Sequence, residues 1–529
     1  MPPKKRKTAS KKPVTKKKAK KVVTKKKTAQ SLLLQPLTLF CLAVVLLLSF
    51  LTYFHNFENP QGFYWDENYH IASAQKYQNG IFYMQQHPPL GKLLIALGEE
   101  LLDASANDEQ FISTSKATGN FSDGFSITGY RVIPVFLAWM TAPLLFLVFL
   151  LLTRSPLIAT LLSFLYVFDN ALIVQMRGAM LEGSLLFFLV LTILCFLLLI
   201  EKKLSQNAFR VLSILFGIAL ACTALTKLTG LILILLVPAL IYSFLPKRDK
   251  IKHFLLLAGI GFLVIFIGVW QIHFSLGKTV NPELSRKGWH GASEEVQSIV
   301  REGRQLSPAS FPIMLQNSLR YTASFNHGVP KLDLCKPGEN GSPFFLWPFG
   351  ARSINYRWSS AGELGKRYLY LQANPVVWLI GLLSVVVAAA LLICPLFCPL
   401  KKKLTHPFLL TTFLGLYVSY MLAISQLDRV MYLYHYFPPL LFSFLLFAIV
   451  LMEAKQILGW KLNEENRVLL LMPLILLVFL AFLIYRPLTY FQPITDEALK
   501  QRSLLRIWNL KCVHCKMDDP LVKPRTCNN

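Results

Sequence analysis

The run Tyr64-Trp65-Asp66-Glu67-Asn68-Tyr69-His70 sets two adjacent carboxylates among aromatic side chains. About twenty residues on, His87-Pro88-Pro89-Leu90-Gly91-Lys92 joins an imidazole and a cation through two backbone-stiffening prolines and a glycine that permits close approach. A carboxylate pinned opposite cations can take a hydroxyl proton while the cations stabilise a departing phosphate. Asp66 is the candidate base, with Glu67 beside it, and Lys92, Arg131, Arg177 and Arg429 are the candidate cations. Each cation falls at the end of an apolar segment, where a charge is costly unless paired or functional. Plainer roles exist for the same residues. A carboxylate near an interface can bridge to an arginine or cap a helix, and Arg131 and Arg177 can snorkel. Lys227, before Leu228-Thr229-Gly230, reads as a boundary lysine rather than a catalytic one.

The elements that must hold these residues are membrane helices. Of 529 residues, 54% are hydrophobic and 16% charged, too apolar for a surface dressed for water. Apolar segments of about 18 to 25 residues recur, each able to cross roughly 30 Å of hydrocarbon as a helix. Strands are not indicated. The net charge of +27 suggests nucleic acid at first, yet fourteen positive residues crowd between Lys4 and Lys27. Residues 1–30 are too polar to offset their own ordering and read as a disordered cytoplasmic tail lying against anionic lipid. No nucleic-acid partner is expected, and the Pro2-Pro3-Lys4-Lys5-Arg6-Lys7 start matches an import signal only as short basic strings do.

With that tail inside, the first span covers about Leu32 to Phe54 and residues 55–128 form a first exterior loop. Spans two to seven begin near Tyr130, Pro156, Met180, Val211, Leu228 and Phe254, completing an N-terminal region over 31–275. Residues 276–372 form a second large exterior loop. Spans near Pro375, Pro407, Tyr432 and Val468 make a C-terminal region over 373–486, and 487–529 is an exterior tail. Arg154, Lys202-Lys203, Lys247-Arg248, Lys401-Lys402-Lys403 and Lys455 then all fall inside, as positive residues should. The expected fold is therefore an all-α integral membrane protein with about eleven transmembrane helices and two large non-cytoplasmic loops. Lys92 to Leu102 is too short to cross and reads as an amphipathic surface helix.

Nine cysteines divide by location. Cys41, Cys195, Cys222, Cys394 and Cys398 lie in or beside spans and read as packing, whereas Cys335, Cys512, Cys515 and Cys527 are exterior. The exterior four can pair as disulfides or stay as thiols, and Cys512-Val513-His514-Cys515 can hold zinc. Asn120-Phe121-Ser122 and Asn340-Gly341-Ser342 are glycosylation sequons.

The Asp66-Glu67 pair followed by His87 to Lys92 resembles the protein O-mannosyltransferase family of polyprenyl- or dolichyl-phosphate-mannose-dependent enzymes, including its bacterial relatives. Tyr130-Arg131, Phe168-Asp169-Asn170 to Gln175-Met176-Arg177, Thr226-Lys227 with Gly230, Ser342-Pro343 to Trp347-Pro348, and Tyr434-His435-Tyr436-Phe437-Pro438 resemble further family stretches in the same order. The likeness covers most of residues 32–486. It implies a GT-C-type bundle that moves mannose, with inversion, from a polyprenyl phosphate to Ser or Thr hydroxyls of an exported polypeptide. Asp66 is then the general base, and Glu67 positions the acceptor or the catalytic loop. Glu67 and Trp65 become candidate acceptor or sugar contacts. Arg131 is expected at the lipid phosphate, and Lys92, His87 and Arg177 at the donor site. The donor is the lipid-linked sugar itself, with no further cofactor and no metal cluster expected.

The second loop is too short for the β-rich domain of eukaryotic-type members, which favours a bacterial cytoplasmic membrane over endoplasmic reticulum. Pairing with itself or a relative is implied by the resemblance alone. A lipid or cell-wall glycan acceptor keeps the same chemistry. A transporter would show paired broken helices near the midplane and few reactive loop residues, and a non-catalytic scaffold would need none of these motifs.

Overall fold

A computed structural model of the chain describes residues 34–105, 121, 123–201, 203–281, 292–398, 403–457 and 459–513. The basic tail, Asn120, Cys515 and Cys527 lie outside these described residues. The elements follow in chain order as α1 (Pro36–Tyr53), α2 (Glu67–Gln78), α3 (Leu90–Leu102), α4 (Thr128–Thr153), α5 (Pro156–Val167), α6 (Asn170–Met176), α7 (Glu182–Leu199), α8 (Gln206–Thr226), α9 (Leu236–Phe244), α10 (Arg248–Leu276), α11 (Glu294–Arg301) and α12 (Ser310–Gly328). Strands β1 (Ile354–Ser360) and β2 (Lys366–Leu371) precede α13 (Pro375–Ile393), α14 (Pro407–Ser425) and α15 (Phe437–Glu453). The short pair β3 (Gln456–Ile457) and β4 (Trp460–Lys461), then α16 (Glu464–Thr489), β5 (Pro493–Ile494) and α17 (Asp496–Arg502), complete the chain.

Among the described residues nine helices are long and apolar enough to span: α1, α4, α7, α8, α10, α13, α14, α15 and α16. The pair α5 and α6 makes a tenth if counted as one span, bent by 63°. The bend sits where Asp169 turns its carboxylate onto the backbone N–H of Leu172 at 2.9 Å and accepts from the Trp378 indole at 2.8 Å, starting a new helix instead of continuing the old one. The expected count of eleven thus meets nine or ten, and the shortfall is the sixth span. There Leu228–Leu235 is a 3-10 helix that runs into α9. At about 2.0 Å per 3-10 residue and 1.5 Å per α residue, Leu228–Phe244 is still roughly 30 Å long. Helices α8 and α10 pack backbone to backbone, since a Cβ on Gly217 would lie 2.0 Å from the Ala258 carbonyl oxygen.

The absence of strands expected from the sequence is corrected in the second loop. There β1 pairs antiparallel with β2, and β2 with β5. Ile354-Asn355-Tyr356-Arg357-Trp358 and Tyr368-Leu369-Tyr370-Leu371 are rich in aromatic and branched residues, and Gly362 and Gly365 take positive φ at the turn between them. Strands this short do not register in a reading scaled to membrane spans.

One ion pair fastens the segment between α1 and α4 to the bundle. Arg131, in the first turn of α4, donates from Nε to Glu67 Oε1 at 2.7 Å and from Nη2 to Glu67 Oε2 at 2.8 Å. Both side chains are 0% exposed. The same guanidinium donates to the carbonyls of Phe57, Pro60 and Gly62, at 3.2, 3.1 and 3.2 Å. Glu67 also accepts from the backbone N–H of Tyr64 at 3.1 Å and of Ala179 at 2.8 Å. The Ala179 contact needs Gly178, where a Cβ would lie 2.4 Å from the Tyr64 hydroxyl. Removing one member leaves a buried charge without its partner, a loss of about 3–5 kcal/mol. Arg131→Met alone is therefore expected to lower the unfolding temperature of the purified protein more than Glu67→Gln with Arg131→Met together. A double variant less stable than the single one would show that the pair does not act as a unit.

Candidate functional site

Asp66 immediately precedes α2 but does not cap it with its side chain, so its carboxylate is available for other work. Trp65, just before it, takes a left-handed φ of 52°, a conformation strained for a bulky residue and maintained only by surroundings that fix it. The Trp65 ring stacks on Tyr356 of β1 at 5.1 Å and meets Tyr432 edge-on at 5.0 Å. The Tyr434 hydroxyl donates to Asp66 Oδ2 at 3.4 Å. Burial lifts the Asp66 carboxyl to about 6 against the attraction of Lys227. Glu182 adds to the rise, while Tyr434 and Lys92 oppose it.

Three of the surrounding cations face this carboxylate. Lys227, expected to be a boundary lysine, is only 7% exposed, and its Nζ lies 2.6 Å from Glu182 Oε1 and 5.0 Å from the Tyr434 ring centre. Its place is set by the abrupt end of α8, where Lys227 itself turns to an extended backbone. Lys92, in the first turn of α3, is 3% exposed and makes no hydrogen bond or ion pair among the described residues. Burial, then the charge of Lys76, brings its ammonium down to about 7, with Asp66 opposing. Arg429 donates to the Asn326 side-chain carbonyl, and its charge interacts with Asp66. His87 is half-buried among these groups, and burial followed by the charges of Lys227 and Lys92 pushes its imidazole well below the usual range, so it is neutral.

Glu182, at the start of α7, is the residue the sequence reading missed. It accepts from Lys227 and, at 2.8 Å, from the Gln175 side chain, which in turn accepts from the Tyr356 hydroxyl. A lone carboxylate heading an apolar run was a legible sign, because such a charge persists there only when paired.

Three predicted residues stand apart from this opening. Arg131, expected at a phosphate, has its donors committed to Glu67 and three carbonyls. Glu67, expected to meet an acceptor, is sealed at 0% exposure. Arg177, expected at the donor, is 3% exposed and donates to the carbonyls of Thr489, His55 and Asn56 while stacking on Tyr490 at 4.7 Å. In these contacts the three side chains tie segments of the protein together, with Arg177 Nε left without a hydrogen-bond partner. Among the described residues no three His, Cys, Asp or Glu side chains gather to hold a metal. Cys335 and Cys512 are both disulfide-bonded, which removes Cys512 as a zinc thiolate.

Comparison with known proteins places these features in a family. The family model described as dolichyl-phosphate-mannose-protein mannosyltransferase matches residues 43–277, and that of the C-terminal four-span region of protein-O-mannosyltransferase matches 326–508. Protein O-mannosyltransferase 1 of Drosophila pseudoobscura pseudoobscura is 26% identical over 297 residues, 53% of this chain and 31% of that protein. Protein O-mannosyl-transferase 2 of Danio rerio is 30% identical over 200 residues, 37% of this chain and 26% of that protein. The matched stretches thus span less than a third of these curated relatives. The fold is similar to that of a chain of the S. cerevisiae protein O-mannosyltransferase Pmt1-Pmt2 complex bound to the sugar donor, with a TM-score of 0.74 at 15% identity over 91% of this chain and 94% of that one. With two family models together matching well over half of its length and a membrane bundle of the GT-C fold, the chain belongs to the protein O-mannosyltransferase family.

Proposed function

We propose that the protein transfers mannose from a polyprenyl or dolichyl phosphate to Ser or Thr hydroxyls of exported polypeptides, with Asp66 as general base. The observation that carries this reading is the Asp66 carboxylate, lifted to about 6 and facing cations. A base this strong removes a hydroxyl proton far better than an ordinary aspartate yet is still ionised at neutral pH. The hydroxyl attacks the anomeric carbon as its proton passes to Asp66, and the carbon–phosphate oxygen bond breaks on the opposite face, inverting the centre. Lys92 and Lys227, with Arg429, supply positive charge for the departing phosphate. Lys92 is the foremost of these because its buried ammonium makes no ion pair among the described residues. Trp65 and Tyr356 form an aromatic wall against which sugar or acceptor can lie. Glu67, Arg131 and Arg177 act by positioning.

The orientation that puts this chemistry on the exterior has support from cysteine state. Cys335 and Cys512 are bonded, whereas Cys394 and Cys398, exposed at the opposite ends of spans, are free thiols. That division fits an oxidising exterior and a reducing interior.

Asp66→Asn at matched expression is expected to lower transfer of labelled mannose from polyprenyl-phosphate mannose to Ser/Thr peptides by about 10²–10⁴-fold. Equal labelling by the variant would remove Asp66 from the role. Label appearing only in lipid or glycan would keep the donor and change the acceptor. The pH profile of kcat/KM gives a separate check. Asp66 must be deprotonated, so activity rises as pH passes about 6, and Lys92 must be protonated, so it falls above about 7. Lys92→Arg is expected to abolish the fall on the alkaline side while leaving the acidic limb in place, and an unchanged alkaline limb would exclude Lys92 as the titrating cation.

A further inference from the structure

A cavity of about 440 Å³ opens on the exterior and shares no lining residue with the Asp66 site. It is built from the stretch 334–340, the sheet, and the segment after α17, with Lys336, Glu339, Arg352, Asn355, Asn509 and Lys511 in its wall. Arg352 is 8% exposed, yet its Nε has no hydrogen-bond partner, and neither have the buried side-chain oxygens of Asn355 and Asn509. Buried polar atoms are rarely left so, and one donor with two acceptors around one space describes a ligand's complement. Arg352 also takes a φ of 60°, a left-handed backbone that a non-glycine residue adopts only when its surroundings demand it. The Arg352 guanidinium donates from Nη2 to the Glu339 backbone carbonyl, and the Glu339 carboxylate, which also accepts from the Gly341 backbone at 2.6 Å, offsets part of its charge.

A polypeptide backbone meets these needs, with its N–H groups for the two amide oxygens and a carbonyl for the guanidinium. Lys336, Arg352 and Lys511 against one glutamate favour acidic side chains on that polypeptide. A bare anion would turn its lone pairs on the amide oxygens, and a neutral sugar would leave the excess positive charge unmatched. The sheet connects the cavity to the chemistry. The β1–β2 register shifts between Asn355 and Arg357, and at this bulge Asn355 lines the cavity while Tyr356 stacks on Trp65 beside Asp66.

We propose that this cavity is a docking exosite for an acidic stretch of the acceptor polypeptide, held apart from the residue that is modified. The inference rests on the polypeptide acceptor of the preceding section. Lys336 and Lys511 are exposed, so reversing both leaves the fold intact. The test is fluorescence anisotropy of a labelled acidic peptide lacking Ser and Thr on the purified full-length protein. Lys336→Glu with Lys511→Glu is expected to weaken binding about ten-fold, and Asn509→Leu to weaken it several-fold. In transfer assays the same rim variant raises KM for a Ser/Thr peptide carrying the acidic stretch, leaves its kcat alone, and does not affect a peptide without the stretch. Equal binding by native and rim variant would overturn the inference, as would displacement by a neutral mannose oligosaccharide but not by unlabelled acidic peptide. Because the anisotropy peptide cannot be modified, binding that persists where no peptide is mannosylated keeps the exosite and rejects the acceptor assignment alone.

Discussion

Everything around Asp66 depends on the contact between Glu67 and Arg131. A guanidinium with no exposure must have its charge met and its donors filled, and one carboxylate and three carbonyls do both. Those carbonyls all belong to the stretch between α1 and α2, so satisfying one side chain of α4 gathers that entire stretch against the bundle. Fork-to-fork pairing also fixes direction. With Glu67 locked inward at the start of α2, the residue before it must point elsewhere, and that residue is Asp66.

Two neighbouring carboxylates thereby acquire different chemistry from their surroundings. Glu67 is matched by a charge that cannot leave it. Asp66 is half-buried, near cations but not in direct ion pairing with one, and retains a proton affinity suited to exchange near neutrality. The second buried ion pair, Lys227 with Glu182, has its ammonium over the Tyr434 ring, and its two charges act on Asp66 in opposite directions. Such pairs contribute little net stability once desolvation is counted. Their value here is that they hold charge at fixed positions inside an apolar bundle.

Most of the bundle was legible because a span needs length and apolarity, and α1, α4 and α7 each announce both. The Asp66-Glu67 pair and the His87 to Lys92 run were legible too, since their residue types are rare in such company. What escaped was partnership. Lys227 looked like the end of a span because its partner Glu182 is 45 positions away and is brought to it only by the packing of α7 on α8. The carbonyl contacts of Arg131 and Arg177 escaped likewise, because sequence shows that a cation is present but not that backbone carbonyls from Phe57 or Thr489 accept from it. The hairpin of β1 and β2 was visible in its alternation and lost to a coarser scale of reading.

The 3-10 segment after Lys227 has a geometric outcome of its own. Side chains three apart eclipse one another in such a helix, so Leu228, Leu231 and Ile234 fall in single file, 39%, 44% and 50% exposed to the apolar exterior. An α-helix would have wound the same residues around its axis. On the proposed reading, this straight ridge gives an isoprenoid tail an edge to lie along, starting beside the lysine that meets its phosphate. The segment runs on into α9, so on that reading the edge sets the direction in which the tail leaves the site.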